Sequence, residues 1–384
     1  MIPSFAVATL GLLFAAGEPI RWSAAVQTQL RARDEPSADN RAELGEIDLR
    51  GRFGLLADVA AGAAALTYTP RVLLQQVFSG SPMAGGNATQ HGGQLQLETR
   101  LAPTTRLTSR TSVEWGRTDY SPLSGTPIPG AVNLPSQRFV HTLGVDTMLD
   151  LAHAFSRRLR MSVGAGFRRS GGVGHDAIQI LPYQVGPQAT AALEWNVDRA
   201  NALRVVANLA ESRFAAQRFI VLSNFLAEWR LRASRQVVFD AAAGGAHFRT
   251  SDAQIVSYPA GSLGLAWESP PRVSRALRAS LRIRLSPGIN PFTEQATEAL
   301  RGEASSELSE GRLRIALDGT GGYAVRGADR GAGDYRLGVR ALWGLTRAWI
   351  LEGGLRAAWT NQVPFKGWQG EPFIGLRWAD VGAL

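Results

Sequence analysis

Arginine is the residue of this chain best placed to do chemistry, and it recurs with a spacing of two. Arg278, Arg282 and Arg284 alternate with Leu277, Ala279, Leu281, Ile283 and Leu285. A guanidinium is a permanent cation whose donor fork matches carboxylates and phosphates bidentately. A row of them is chemistry for holding anions, not for breaking bonds. Arg50, Arg52, Arg71, Arg100, Arg106, Arg110, Arg204, Arg312, Arg314, Arg336, Arg340 and Arg356 fall into the same rhythm. So do the acids Asp48, Glu98, Glu114, Asp146, Asp150, Glu194, Asp240, Glu268, Asp318 and Glu352. Two readings stay open: ion pairs between neighbouring strands that stiffen a wall, and surplus guanidinium groups that favour anionic solutes. The formal net charge of +9 is carried by arginine, since Lys366 is the only lysine.

Other chemistries find little support. His91, His141, His153, His175 and His247 lack metal-ligand spacing, so no metal and no cofactor is expected. A hydrolase would need serine, histidine and an orienting group together. Ser109 and His141 share an apolar face, but nothing in the sequence joins them. The run Ser170-Gly171-Gly172-Val173-Gly174 follows a strand and is expected to precede no helix, which argues against a phosphate cradle. Arg330 in the middle of Gly327–Asp334 argues against calcium. Basic residues dealt out strand by strand, without a recognisable module, make nucleic acid the poorer reading, and no nucleic-acid partner is expected.

The elements that must position these arginines are strands. A period of two sends successive side chains to opposite faces, one greasy and one cationic. A helix of the same sequence would have no clean apolar stripe. After the N-terminus no run of about 18 apolar residues occurs, so helical spans are not expected. Residues 1–17 read as a secretory signal peptide without the usual basic start, and residues 18–384 as one domain. Tight turns such as Asp198–Asn201, Glu310-Gly311 and Thr346-Arg347 alternate with longer connections at Tyr120–Gln137, Ser170–Pro187 and Gly327–Gly333. Runs counted this way give 18 strands, with 16 the alternative, and both termini on the short-turn side. Among them are 188–198, 292–308, 312–323 and 371–379. Glu298 sits on the apolar face of its run, which marks a bulge or a misreading there.

This is the pattern of an all-β, antiparallel, up-and-down transmembrane barrel in the bacterial outer membrane, with membrane lipid against its wall. Trp115, Trp195, Trp229, Trp267, Trp343 and Trp359 fall on the apolar face, most toward a strand end, where interfacial girdles sit. A barrel this wide encloses a water-filled or plugged lumen. Several features resemble the 18-stranded integral barrels of bacterial polysaccharide export. They are the strand count, Ala65–Arg71 before a glycine-rich loop, and Arg-x-Arg hairpin starts at Arg158–Arg160 and Arg312–Arg314. Such barrels pair with a short Wza-like periplasmic export protein. The resemblance implies a passive conduit for a polysaccharide cargo, with no catalytic residues. A general diffusion porin for small anions and an adhesin acting through its loops remain alternatives.

Overall fold

In a computed structural model, residues 20–36, 41–59, 61–79, 86–121, 123–124, 138–215, 218–270, 275–327, 329–362 and 366–383 are described. The expected signal peptide and most of Tyr120–Gln137 lie outside them. One sheet of 18 antiparallel strands closes on itself. In order these are β1 Arg21–Pro36, β2 Arg41–Val59, β3 Gly62–Ser79, β4 Ala88–Ala102, β5 Thr105–Asp119, β6 Phe139–Ala154 and β7 Leu159–Ser170. After a short helix, α1 His175–Ile180, come β8 Gln184–Asn196, β9 Asn201–Phe214, β10 Phe219–Arg232, β11 Val237–Thr250, β12 Ile255–Glu268 and β13 Arg275–Asn290. The last five are β14 Gln295–Glu310, β15 Leu313–Arg326, β16 Gly333–Gly344, β17 Trp349–Thr360 and β18 Gly367–Ala383. Closure is made by β1 and β18, paired from Arg21↔Ala383 to Arg31↔Phe373. In hydrocarbon every strand needs a partner on both sides, so this last pairing is what lets the sheet stand in a membrane.

Several boundaries differ from the expected runs, each for a local reason. β8 begins at Gln184 and carries Pro187 within it; the β8–β9 ladder skips from Val185↔Arg213 to Gln188↔Ala210, around the missing N–H. β3 runs unbroken through Pro70, because Gly51 opposite leaves room: a Cβ there would sit 3.0 Å from the proline ring. β18 starts earlier and runs past Trp378 to Ala383. Ser170–Gly174 does open a helix, contrary to expectation, but α1 has only six residues. Its glycines serve close packing: Gly171 has φ +131°, and a Cβ on Gly172 would lie 2.3 Å from the Ala177 carbonyl oxygen. Around Glu298 the β14–β15 register shifts, with Glu298 opposite Arg326 and Ala299 opposite Ala324. That bulge lets Glu298 leave the apolar face; it is 1% exposed and pairs with Arg326 at 3.3 Å.

The outer wall is apolar and exposed, from Leu30, Leu149 and Phe225 round to Leu281, Leu337 and Leu355. Phe53, Tyr68, His91 and Trp115 stack in sequence across β2–β5, with centroids 6.5, 6.1 and 5.2 Å apart. Small turns close one rim and mixed connections the other, where four connections are as short as four residues. A charge on this wall at the bilayer midplane costs ~2–4 kcal/mol. Leu281→Arg should therefore lower stability by about that amount, whereas Ser280→Arg, on the opposite face, should change it by less than ~1 kcal/mol. Urea unfolding from lipid vesicles, followed by heat-modifiable gel mobility, measures the difference.

Candidate functional site

In the lumen the strands bring charged side chains together, and its two halves differ. On the short-turn half the inward arginines stand in water. Glu98 and Arg106 pair at 3.0 Å, Arg204 and Glu228 at 3.0 Å, and Arg278 and Glu268 at 2.9 Å. Arg284 meets Glu303 at 2.8 Å, and Asp240 lies between Arg230 at 2.7 Å and Arg282 at 4.0 Å. Higher up, Arg168 lies 3.7 Å from Asp146 and Arg336 3.0 Å from Asp334. Arg52, Arg100, Arg110, Arg314 and Arg340 have no carboxylate within ion-pair distance among the described residues, and neither do Arg160, Arg232 and Arg377. Glu114, Asp150, Glu194 and Asp318 likewise have no cationic partner within that distance among them. A recess of about 650 Å³ opens here between Arg232, Arg278, Ser305, Glu307 and Arg340.

On the loop-side half, the β1–β3 and β17–β18 wall carries a dry polar mass. Asp48 accepts hydrogen bonds from Arg31, from Arg50 at 2.6 Å and from Arg71 at 2.9 Å. Arg33 donates to Glu371 at 2.6 Å and to the Ser121 hydroxyl at 3.0 Å. Arg138 donates to Glu46 at 2.5 Å and Asp119 at 3.1 Å. Arg356 completes the set at 2.9 Å from Glu371, while Gln27 and Gln29 both donate to Glu352 at 2.5 Å. Arg33, Glu46, Asp48 and Glu371 are all buried. Because Asp119, Ser121 and Arg138 flank the β5–β6 connection, its base is tied inward across the lumen. Beside it Tyr120 packs with Val140, Ala177 and Leu181. Burial pushes the Tyr120 phenol up to about 12.

One expected inward arginine, Arg312, and one residue of an expected hairpin start, Arg158, stand in turns. Arg312 lies in the β14–β15 turn and reaches the Leu345 carbonyl of the next turn at 3.5 Å. Arg158, expected to begin a strand, lies in the β6–β7 turn and donates to the Val197 carbonyl at 3.4 Å. The expected runs 157–169 and 312–323 start ahead of β7 and β15, and a turn residue has no strand face to obey. The six expected tryptophans stand on the outer face: Trp195, Trp229, Trp267 and Trp343 toward the short-turn rim, Trp115 and Trp359 toward the other. Trp22, Trp349, Trp368 and Trp378 join them. Sequence reasoning passed over Arg31, Arg33, Glu46 and Glu371. Their signal was present, since Gln27, Gln29, Arg31 and Arg33 take every second place in β1.

A description of the exopolysaccharide export family EpsX, as a sequence model, matches residues 14–367. The chain belongs to the EpsX exopolysaccharide export family. No curated protein matches it. Among solved structures, this EpsX-family barrel is similar to OccAB4 of Acinetobacter baumannii, with 9% identity, TM-score 0.47, 96% of this chain and 100% of that one. It is also similar to OpdK of Pseudomonas aeruginosa solved with vanillate, with 10% identity, TM-score 0.49, 94% of this chain and 99% of that one. An 18-stranded barrel with an apolar wall, in a family of exopolysaccharide export, is an outer-membrane channel.

Among the described residues no group of three or more metal-binding side chains occurs. Ser109 and His141 are both on the outer wall, opposite Leu149 and Arg117 respectively. Ser109 and Arg117 are eight positions apart along β5, about 27 Å at the usual rise. Removing one partner of a buried charge cluster costs ~3–5 kcal/mol, because the rest stay buried and unbalanced. Asp48→Ala, which strips three arginines of their acceptor, should lose about that much stability. Arg284→Ala, in an exposed pair, should lose under ~1 kcal/mol. Denaturant titration of both variants in the same vesicles checks the contrast.

Proposed function

We propose that the barrel is the passive conduit through which an exopolysaccharide leaves the cell, and that its lumen favours acidic sugar units. The observation that carries this reading is the short-turn half of the lumen, wide, wet and bearing arginines without carboxylate partners among the described residues. Guanidinium groups left over after neighbouring pairs are formed can exchange contacts along a moving carboxylated or phosphorylated chain, each contact weak in water. Family membership supplies the cargo class. The barrel acts without chemistry of its own, a reading supported by the separation of Ser109 from His141.

A periplasmic export protein of the Wza-like kind is the proposed partner, docked at the short-turn rim. Turns on that rim carry Arg157, Arg158, Arg199, Arg235, Arg312 and Arg347. Against them stands Asp198, already engaged by the Asn201 amide at 2.9 Å and by two backbone N–H groups. Such a ring suits an acidic face on the partner.

The narrowed loop-side mouth favours a second reading, a porin for small anions. The two separate by experiment. In a deletion strain, the conduit reading expects loss of surface polysaccharide, restored by the intact chain. In planar bilayers, replacing Arg52, Arg110, Arg314 and Arg340 together by Ser should bring the anion-to-cation permeability ratio toward one and reduce export. Unchanged surface polysaccharide in the deletion strain would leave the porin reading standing.

A further inference from the structure

The upper part of the β13–β14 hairpin does not belong to the wall. β12 and β13 pair only from Glu268↔Arg278 to Gly261↔Leu285. Above that, Ile255–Ala260 keeps β11 alone and Ser286–Asn290 keeps β14 alone. Continuing the register would set Pro259 opposite Pro287, two residues without an N–H to give. The seam is therefore written into the sequence.

The released hairpin leans into the lumen. Ile289 and Ala296 are buried against Phe214, Ile220, Ala246 and Phe248 on the inner face of β9–β11. Phe292 at its tip packs on the cluster of Tyr120, Val140, Ala177 and Leu181 beyond. Between the hairpin and β7–β10 remains a niche of about 160 Å³ bounded by Arg168, Gln184, Gln188, Gly288 and Ile289.

The seat is apolar but imperfect. Asn290 Nδ2, Thr293 Oγ1, Glu298 Oε1 and the neighbouring Asp329 Oδ2 are buried without hydrogen-bond partners. Such atoms are destabilising where they are dry and satisfied where they are wet. Glu294 at the turn holds φ +50°, in the left-handed region. An apolar contact that holds the hairpin in, set against polar groups that favour solvent, is the balance a two-state element requires.

We propose that Ser286–Thr297 is a hinged flap that closes the loop-side mouth and opens by leaving its seat on β9–β11, with the Thr297 hydroxyl, bonded to the Arg326 carbonyl and to Asp329, as its tie to β15. The flap concerns the bore and stands whatever the cargo is; a bilayer recording without polymer tests it. Three variants are compared with the intact chain. Ile289→Asp places a charge in the seat. The pair Pro259→Thr and Pro287→Thr restores donors along the seam and favours the hairpin's return to β12. A third variant replaces residues 288–297 by Gly-Gly. The intact channel should show a dominant low-conductance level with brief higher ones. Ile289→Asp should raise the open-to-closed ratio roughly tenfold or more, the effect of removing one fully buried apolar side chain from the closed state. The proline pair should shift it the same way, and the tip deletion should give one steady high level. Heat-modifiable mobility confirms folding of each. If the tip deletion conducts like the intact chain, the flap does not exist as a gate. If the deletion conducts more but Ile289→Asp and the proline pair leave the dwell times unchanged, the hairpin is a fixed constriction and the hinge is wrong. Enlarged conductance with unaltered surface polysaccharide would refute the export reading and leave the gate intact.

Discussion

Backbone amides in hydrocarbon find no water, so a sheet that crosses a bilayer must leave no edge. In this chain the constraint is met by β1 and β18, and the residues unable to meet it are placed where it relaxes. Pro70 is tolerated because Gly51 stands beside it on the neighbouring strand. Pro372 immediately precedes Phe373, where the β1–β18 ladder ends. Beyond that point the two strands are held by side chains, Arg33 to Glu371, instead of by backbone. Pro259 and Pro287 mark the other break, and there no ion pair among the described residues bridges the strands. An unpaired edge of this kind is compatible with a membrane only where water or headgroups reach it.

The wall was legible in the sequence because its rule is local. Alternation at a period of two, read strand by strand, separates Leu281 and Ile283 from Arg282 and Arg284 without knowledge of any neighbour. Strand number and the common side of the termini follow from counting turns. What alternation does not carry is depth along the barrel axis. Ile289 and Ala296 read as lipid-facing, yet they face β9–β11, because the hairpin has turned inward and taken its outer face with it. Phe214, Ile220 and Phe248 on inward positions were the available sign that something apolar lies against them. Glu298, out of place in a straight reading, marked the bulge at which β14 bends. The Arg33–Ser121 and Arg138–Glu46 contacts join strands distant in sequence to a loop base, and no periodicity encodes them.

The same residue type does opposite work in the two halves of the lumen. Arg31 and Arg33, out of water, are useful only as members of a complete set, since desolvated charges gain stability from satisfied partners and lose it from missing ones. The arginines of the short-turn half are hydrated, their pairs contribute little, and their contacts are therefore exchangeable. Burial, not composition, divides a rigid scaffold from a surface able to release what it binds. The deeply buried cations, Arg31 and Arg33, are those already paired with Asp48 and Glu371.

A polymer conduit in an outer membrane faces two opposed demands: a bore wide enough for a chain, and a barrier when no chain is present. A long loop folded into the lumen can narrow a bore, but its closure entropy and mobility make a poor seal. A pair of strands is stiffer, because each residue is held by its ladder partner, and β13 and β14 stay paired through Asn290↔Gln295 as they leave the wall. The hairpin can therefore move as one piece about the ends of the β12–β13 and β14–β15 ladders, without melting its own hydrogen bonds. What changes between positions is a small apolar contact on one side and a few wetted polar atoms on the other. Terms of that size, each a few kcal/mol and opposite in sign, are what let one sequence hold two arrangements of the same wall.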